Sequence, residues 1–153
     1  VVLEMEILLM SLRYLLIRKT SLRLLAFYCC SVSSMIIGAQ SLQDGIYTPI
    51  QAERGAEEYA ARCASCHSTD FRGNSNSPSL IGLSFIFIWE GKTLGELFHK
   101  ISTEMPTESP GSLLMQSYAS ILAFILRSND FPAGDTGLAA SADALASIPI
   151  SSN

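Results

Sequence analysis

Residues 63–67 read Cys-Ala-Ser-Cys-His, and they gather two of the chain's four cysteines and one of its two histidines. Two thiols three positions apart, with an imidazole directly after the second, lend themselves to several kinds of chemistry. A thiol–disulfide redox pair is the first. Such a pair works from a helix N-terminus in a βαβ setting, where the helix dipole lowers the thiol pKa. Here the residues leading into Cys63 have helical periodicity, so the pair stands at a helix C-terminus, and no βαβ pattern surrounds it. A zinc site is the second. It needs four ligands, usually from two clusters, and outside this stretch only His99 offers an imidazole. The third and plainest is an export-compartment disulfide beside a surface histidine.

The fourth is covalent attachment of a haem. On a helix Cys63 and Cys66 share one face, so both thiols can add to two vinyl groups on one edge of a porphyrin. His67, four positions after Cys63, falls on the same face and offers its imidazole to the iron. This reading accounts for all three side chains together. It also requires a second axial ligand downstream. Met105 is the first candidate, 38 residues after His67 and directly before Pro106, in a loop. Met115, near the start of a helix, is expected to pack in the core. His99, beside Phe98 in mid-helix, is expected at the surface. Both stay open as alternative ligands.

The elements that must position these groups follow from periodicity. Thr48 and Pro49 open a helix over 49–64, with Ala52, Gly55, Ala56, Tyr59 and Ala60 at helical spacing and Glu57 and Glu58 on the opposite face. Residues 68–82 are rich in Gly, Asn, Ser and Pro and are loop. "LSFIFIWEG" has strand-like composition but no sheet to join, and is read as a short helix or irregular core segment. "TLGELFHKIST" is a helix with Thr93 as N-cap, and "EMPTESPGS" an extended loop. "LLMQSYASILAFILRS" is the strongest helix, ended by Ser128 and Asn129. In the tail, Ser141 is placed to cap a short turn through Ala146, and Leu138, Leu145 and Ile148 predict that the tail lies on the body. The expected fold class is therefore all-α: three main helices and long loops around a covalently bound haem. So small a core needs the added volume.

The chain of 153 residues allows one domain. Its N-terminal part reads as a targeting segment: Arg13, Arg18, Lys19 and Arg23, then an apolar run over 24–39, then polar residues. Residues 1–39 are expected to be a signal peptide cleaved after Ala39, with an uncleaved anchor as the alternative. The run of sixteen is short against the ~20 residues of a membrane span. Cleavage would also remove Cys29 and Cys30, and Tyr28 before Cys29 argues against lipidation. Residues 40–131 form the expected domain and 132–153 the tail. From residue 40 on, twelve acidic residues stand against six basic ones, a balance of −6. That excludes the basic stripe that nucleic acid requires.

Residues 45–131 resemble a class I c-type cytochrome with one haem. "RGAEEYAARCASCH" is similar to that family's N-terminal helix, with Gly55 and Tyr59 at the positions that meet the C-terminal helix. "SPSLIG" resembles its Pro-x-Leu-x-Gly segment, "EMPTESPGSL" its methionine loop and "YASILAFIL" its C-terminal helix, with Phe124 at the aromatic position. The resemblance implies that the Pro78 carbonyl accepts the proton of the His67 nitrogen remote from the iron. It also implies that Leu80 packs on the haem and that Met105 is the axial partner of His67. Trp89 either fills the core beside Phe85 and Phe87 or bonds a haem propionate through its indole N–H.

A narrower likeness runs through "W-x-G…LF…MP…PGSL…Y…ILAFIL…N-x-FPAG". It is similar to monohaem cytochromes that serve quinoprotein alcohol and sugar dehydrogenases, except that Leu114 and Met115 stand where polar capping residues are expected. The resemblance implies a periplasmic or exported one-electron carrier, not an enzyme. Its donor would be such a dehydrogenase and its acceptor an oxidase or another cytochrome. Two rivals differ in kind. One is a haem enzyme or gas sensor with a labile sixth position. The other is a cytochrome subunit of a larger complex, held at a membrane by an uncleaved N-terminus.

Overall fold

The structure, a computed structural model, describes residues 40–151. The expected signal segment, its cleavage point, Cys29 and Cys30 lie outside the described residues. Within them the fold is all-α and no strand forms. A 3-10 turn at Leu42–Asp44 is followed by α1 (Pro49–Arg62), α2 (Ala64–His67), α3 (Gly82–Trp89), α4 (Leu94–Glu104), α5 (Met115–Ser128) and α6 (Ala142–Leu145).

The helix starts follow capping chemistry. Thr48 accepts from the Gln51 N–H at 3.2 Å, and Pro49 occupies the first helical position, where a missing N–H costs nothing. Thr93 and Glu96 form a reciprocal capping box at α4. Those hydrogen bonds to Thr93 hold the Glu96 carboxyl below its usual pKa. By contrast α5 begins without a side-chain cap: Leu114 is its N-cap residue and is 75% exposed. Ser141 likewise precedes α6 without a capping bond from its side chain.

The expected helix over 49–64 is in fact two. Its hydrogen-bond ladder runs on, from the Cys63 N–H to Tyr59 and from the His67 N–H to the Cys63 carbonyl. Cys63 itself departs to φ −121° and separates the two elements. The Cys66 and His67 N–H groups both return to the Cys63 carbonyl, so the three residues belong to one turn. The segment "LSFIFIWEG" is a helix. At 100° per residue, Phe85 and Trp89 share its buried side while Leu83 and Phe87 share the other, and Phe87 is 87% exposed. Trp89 therefore has Phe85 but not Phe87 as a core neighbour.

Packing centres on α1 against α5, the most extensive helix pair. Gly55 permits it: a Cβ there would overlap the Ser120 carbonyl on α5, which is backbone and has nowhere to move. One turn on, the Tyr59 ring meets Phe124 edge-on at 5.6 Å and stacks on Phe71 at 4.4 Å. Gly55→Ala is expected to force the helices apart and lower the unfolding free energy by about 3 kcal/mol, the upper range for overpacking. Chemical denaturation of the holoprotein checks this; an unchanged midpoint would mean the two helices slide at no cost.

The tail lies on the body. Leu138, Leu145, Ile148 and Ile150 are all buried. Gln51 clasps the tail with two bonds, its side-chain amide donating to the Leu138 carbonyl at 3.0 Å and accepting from the Leu138 N–H at 2.7 Å. Further on, Ile148 and Ile150 exchange backbone hydrogen bonds with residues 91–94 at the start of α4.

A haem cleft between the attachment motif and the methionine loop

Among the described residues the helices leave an apolar-lined cleft, about 970 Å³ with its open mouth included. Cys63, Cys66 and His67 line it, and so do Met105 and Pro106 from the loop after α4. Ile121 and Ile125 of α5, Leu97 and Ile101 of α4, and Phe85 and Trp89 of α3 supply apolar lining. Arg62, Lys100 and Glu108 are exposed where they meet the cleft, so its mouth carries charges of both signs.

His67 is held by the loop that follows it. Its Nδ1–H donates to the Pro78 carbonyl at 2.9 Å. A carbonyl can only accept, so the proton sits on Nδ1 and the Nε2 lone pair is left for a metal. The loop reaches that position through two residues that sequence reading passed over as generic loop. Gly73, at φ +69°, donates its N–H to the His67 carbonyl, and a Cβ there would press on the Ser77 and Pro78 carbonyls. Asn74 accepts from the Asn76 and Ser77 N–H groups and donates from its amide to the Cys66 carbonyl at 2.8 Å. The Gly-Asn pair was the available signal, since such pairs mark tight turns with specific backbone demands. Leu80, also in the lining, is fixed from the far side: Asn129 donates to its carbonyl at 2.9 Å and accepts from the Gly82 N–H at 2.9 Å.

Met105 ends α4 in an extended conformation, half-buried, with its side chain in the cleft. Met115 opens α5, is 44% exposed and is no part of the lining; His99 is exposed and lies outside it too. The structure thus brings Cys63, Cys66, His67, Pro78, Leu80, Trp89 and Met105 around one space. It leaves both alternative ligands elsewhere.

The surroundings of Cys63 are not those of a redox nucleophile. Burial, and then the nearby Glu108, Glu58 and Cys66, push the Cys63 thiol up to about 11. A disulfide-exchange nucleophile needs the opposite shift. Among the described residues no group of three or more His, Cys, Asp or Glu side chains gathers to hold a metal ion. Two thiols, an imidazole freed at Nε2 and a thioether, in an apolar cleft, are a donor set suited to a covalently held iron porphyrin.

The helical architecture is that of a small all-α cytochrome c fold. Residues 50–125 match the protein family described as "Cytochrome C oxidase, cbb3-type, subunit III", and that stretch is a cytochrome c family domain. No curated protein and no solved structure matches the chain. The domain binds haem c covalently, supports an electron-carrier role and implies redox proteins as partners. Bound haem supplies an iron that takes up and releases one electron at a time. The chain's own residues orient His67 and line the cleft with apolar groups, and would hold that group there. Among the described residues no helix is long and apolar enough to cross a membrane.

Proposed function

We propose that this chain is an exported one-electron carrier whose haem iron is held between His67 and Met105, and whose donor is a quinoprotein dehydrogenase. The observation that carries the ligand pair is the cleft itself. It joins a histidine already oriented by Pro78 to a methionine 38 residues away, while Met115 and His99 stay outside. In this reading Cys63 and Cys66 carry the thioether bonds, Leu80 packs on the haem, and Trp89 turns its indole N–H to a propionate. With both axial positions taken, no site is left for a substrate on the iron. Export rests on residues 1–39, read as a signal cleaved after Ala39. The acceptor is an oxidase or another cytochrome.

Two features favour apolar docking over long-range steering. Leu83 and Phe87 stand out from α3 into solvent, on the helix whose Phe85, Ile88 and Trp89 line the cleft. The cleft mouth has charges of both signs, so the −6 of residues 40–153 is not focused there. Reduced dehydrogenase mixed with oxidised cytochrome in a stopped-flow instrument is expected to reduce the haem directly. The rate should change less than about twofold as salt shortens the Debye length from ~30 to ~8 Å. No reduction beyond that by free quinol, at any salt, removes this donor.

One observation favours a second reading. The matched family is described by a subunit of a terminal oxidase, which fits a cytochrome kept in a membrane complex by an uncleaved N-terminus. The intact mass of the purified holoprotein separates the two, because cleavage after Ala39 removes 39 residues.

A further inference from the structure

The loop that carries Met105 is closed by one buried phenol. Tyr118 stands in the first turn of α5 and is 2% exposed. Its hydroxyl donates to the Met105 carbonyl at 2.6 Å and accepts from the Leu113 N–H at 3.3 Å. Met105 and Leu113 are the two ends of the loop between α4 and α5, so a single oxygen ties both to the same helix. The Gly111 N–H gives the Met105 carbonyl a second donor at 3.2 Å. At the side chain, the Thr107 hydroxyl donates to Sδ at 3.6 Å.

The position of Met105 makes this bond consequential. The last carbonyls of a helix lack intrahelical partners and must find donors elsewhere. Met105 follows the last residue of α4, so its backbone is set by what α5 and the loop offer. On its other flank α5 is locked to α1 through Gly55 and Phe124. The phenol thus transfers the rigidity of the α1–α5 pair to the backbone of Met105.

We infer that Tyr118 is a positioning residue for Met105: by clamping both ends of the loop to α5 it sets how readily the thioether leaves the cleft. The inference rests on the reading of Met105 as the axial ligand. Tyr118→Phe keeps the ring and its packing but removes both bonds. The fraction of molecules with Met105 detached should rise about tenfold, the size expected for one net hydrogen bond.

The probe is imidazole, added to the oxidised holoprotein while the far-red sulfur-to-iron band is followed. Imidazole binds where the thioether has left, so a tenfold larger detached fraction lowers its apparent Kd about tenfold. Leu42→Ala serves as the comparison. It removes a buried side chain from the 3-10 turn, which leads to Gly45 against Ala133 and Gly134, past the far end of α5. It should leave the imidazole Kd unchanged. If the unaltered protein lacks the band, the ligand reading of Met105 falls, and this inference with it. If the band is present and Tyr118→Phe binds imidazole no better, the clamp alone is wrong. An equal shift in Leu42→Ala also overturns it, since general loosening would then suffice. Should Tyr118→Phe fail to retain haem, proton NMR of the unaltered ferrous protein decides. A slowly exchanging Tyr118 hydroxyl proton close to Met105 is expected, and one that exchanges freely with water refutes the clamp.

Discussion

Replacing Cys63 or Cys66 by Ala is expected to abolish stable haem retention, while the unaltered protein keeps its haem through denaturation and acid–acetone extraction. The two thioether bonds make the haem part of the chain, so unfolding does not release it. Each cysteine does its part from a different position: Cys63 stands between α1 and α2 and Cys66 within α2. Loss of either leaves one bond at most. The consequence reaches stability as well. The cleft is lined by Phe85, Trp89, Leu97, Ile101, Ile121 and Ile125, and without its occupant these apolar groups lose their packing partner. Whatever binds only the folded state stabilises it, and losing it reverses that gain. The measurement is the optical spectrum of the protein fraction after extraction. Extractable haem in the unaltered protein would refute covalent attachment.

Met105→His is expected to lower the midpoint potential and abolish the far-red sulfur-to-iron band. A neutral thioether favours ferrous iron, whereas a second imidazole stabilises the ferric form. The drop should be on the order of 0.1 V or more, a fraction of the ~0.8 V that axial ligands span. Met115→His is the matched comparison. That residue begins α5, is 44% exposed and does not line the cleft. It should change neither the potential nor the band. Redox titration with optical detection reads both at once. If Met115→His removes the band and Met105→His keeps it, the assignment from the cleft is wrong.

Local chemistry was written plainly in the chain. CASCH is contiguous, so its two thiols and imidazole could be read together before any fold was known. The helices were legible because an apolar stripe at 3.6-residue spacing needs only one flank to cover it. Thr93 announced the start of α4, since an N-cap bonds a backbone N–H within four residues. Leu138, Leu145 and Ile148 marked the tail as docked, since apolar side chains of that size seldom stay in water together.

Other features depend on partners distant along the chain. The break at Cys63 was not legible, because the hydrogen-bond ladder continues across it and only the backbone dihedral of that one residue departs from the helix. Phe87 looked like core by composition, yet α3 has one face to bury, and Phe85 and Trp89 occupy it. Met105, Met115 and His99 were three plausible ligands in one dimension. The sequence by itself determined that this chain carries the means to hold a haem covalently, and which helices flank it. Only the tertiary structure decided that Met105 and not its rivals lines the cleft, that Asn74 and Gly73 shape the loop carrying Pro78, and that Tyr118 closes the methionine loop. Periodicity and motif spacing report what a residue does to its own element. A hydrogen bond from Tyr118 to a carbonyl thirteen residues away exists only once α4 and α5 have been packed at a particular distance and angle.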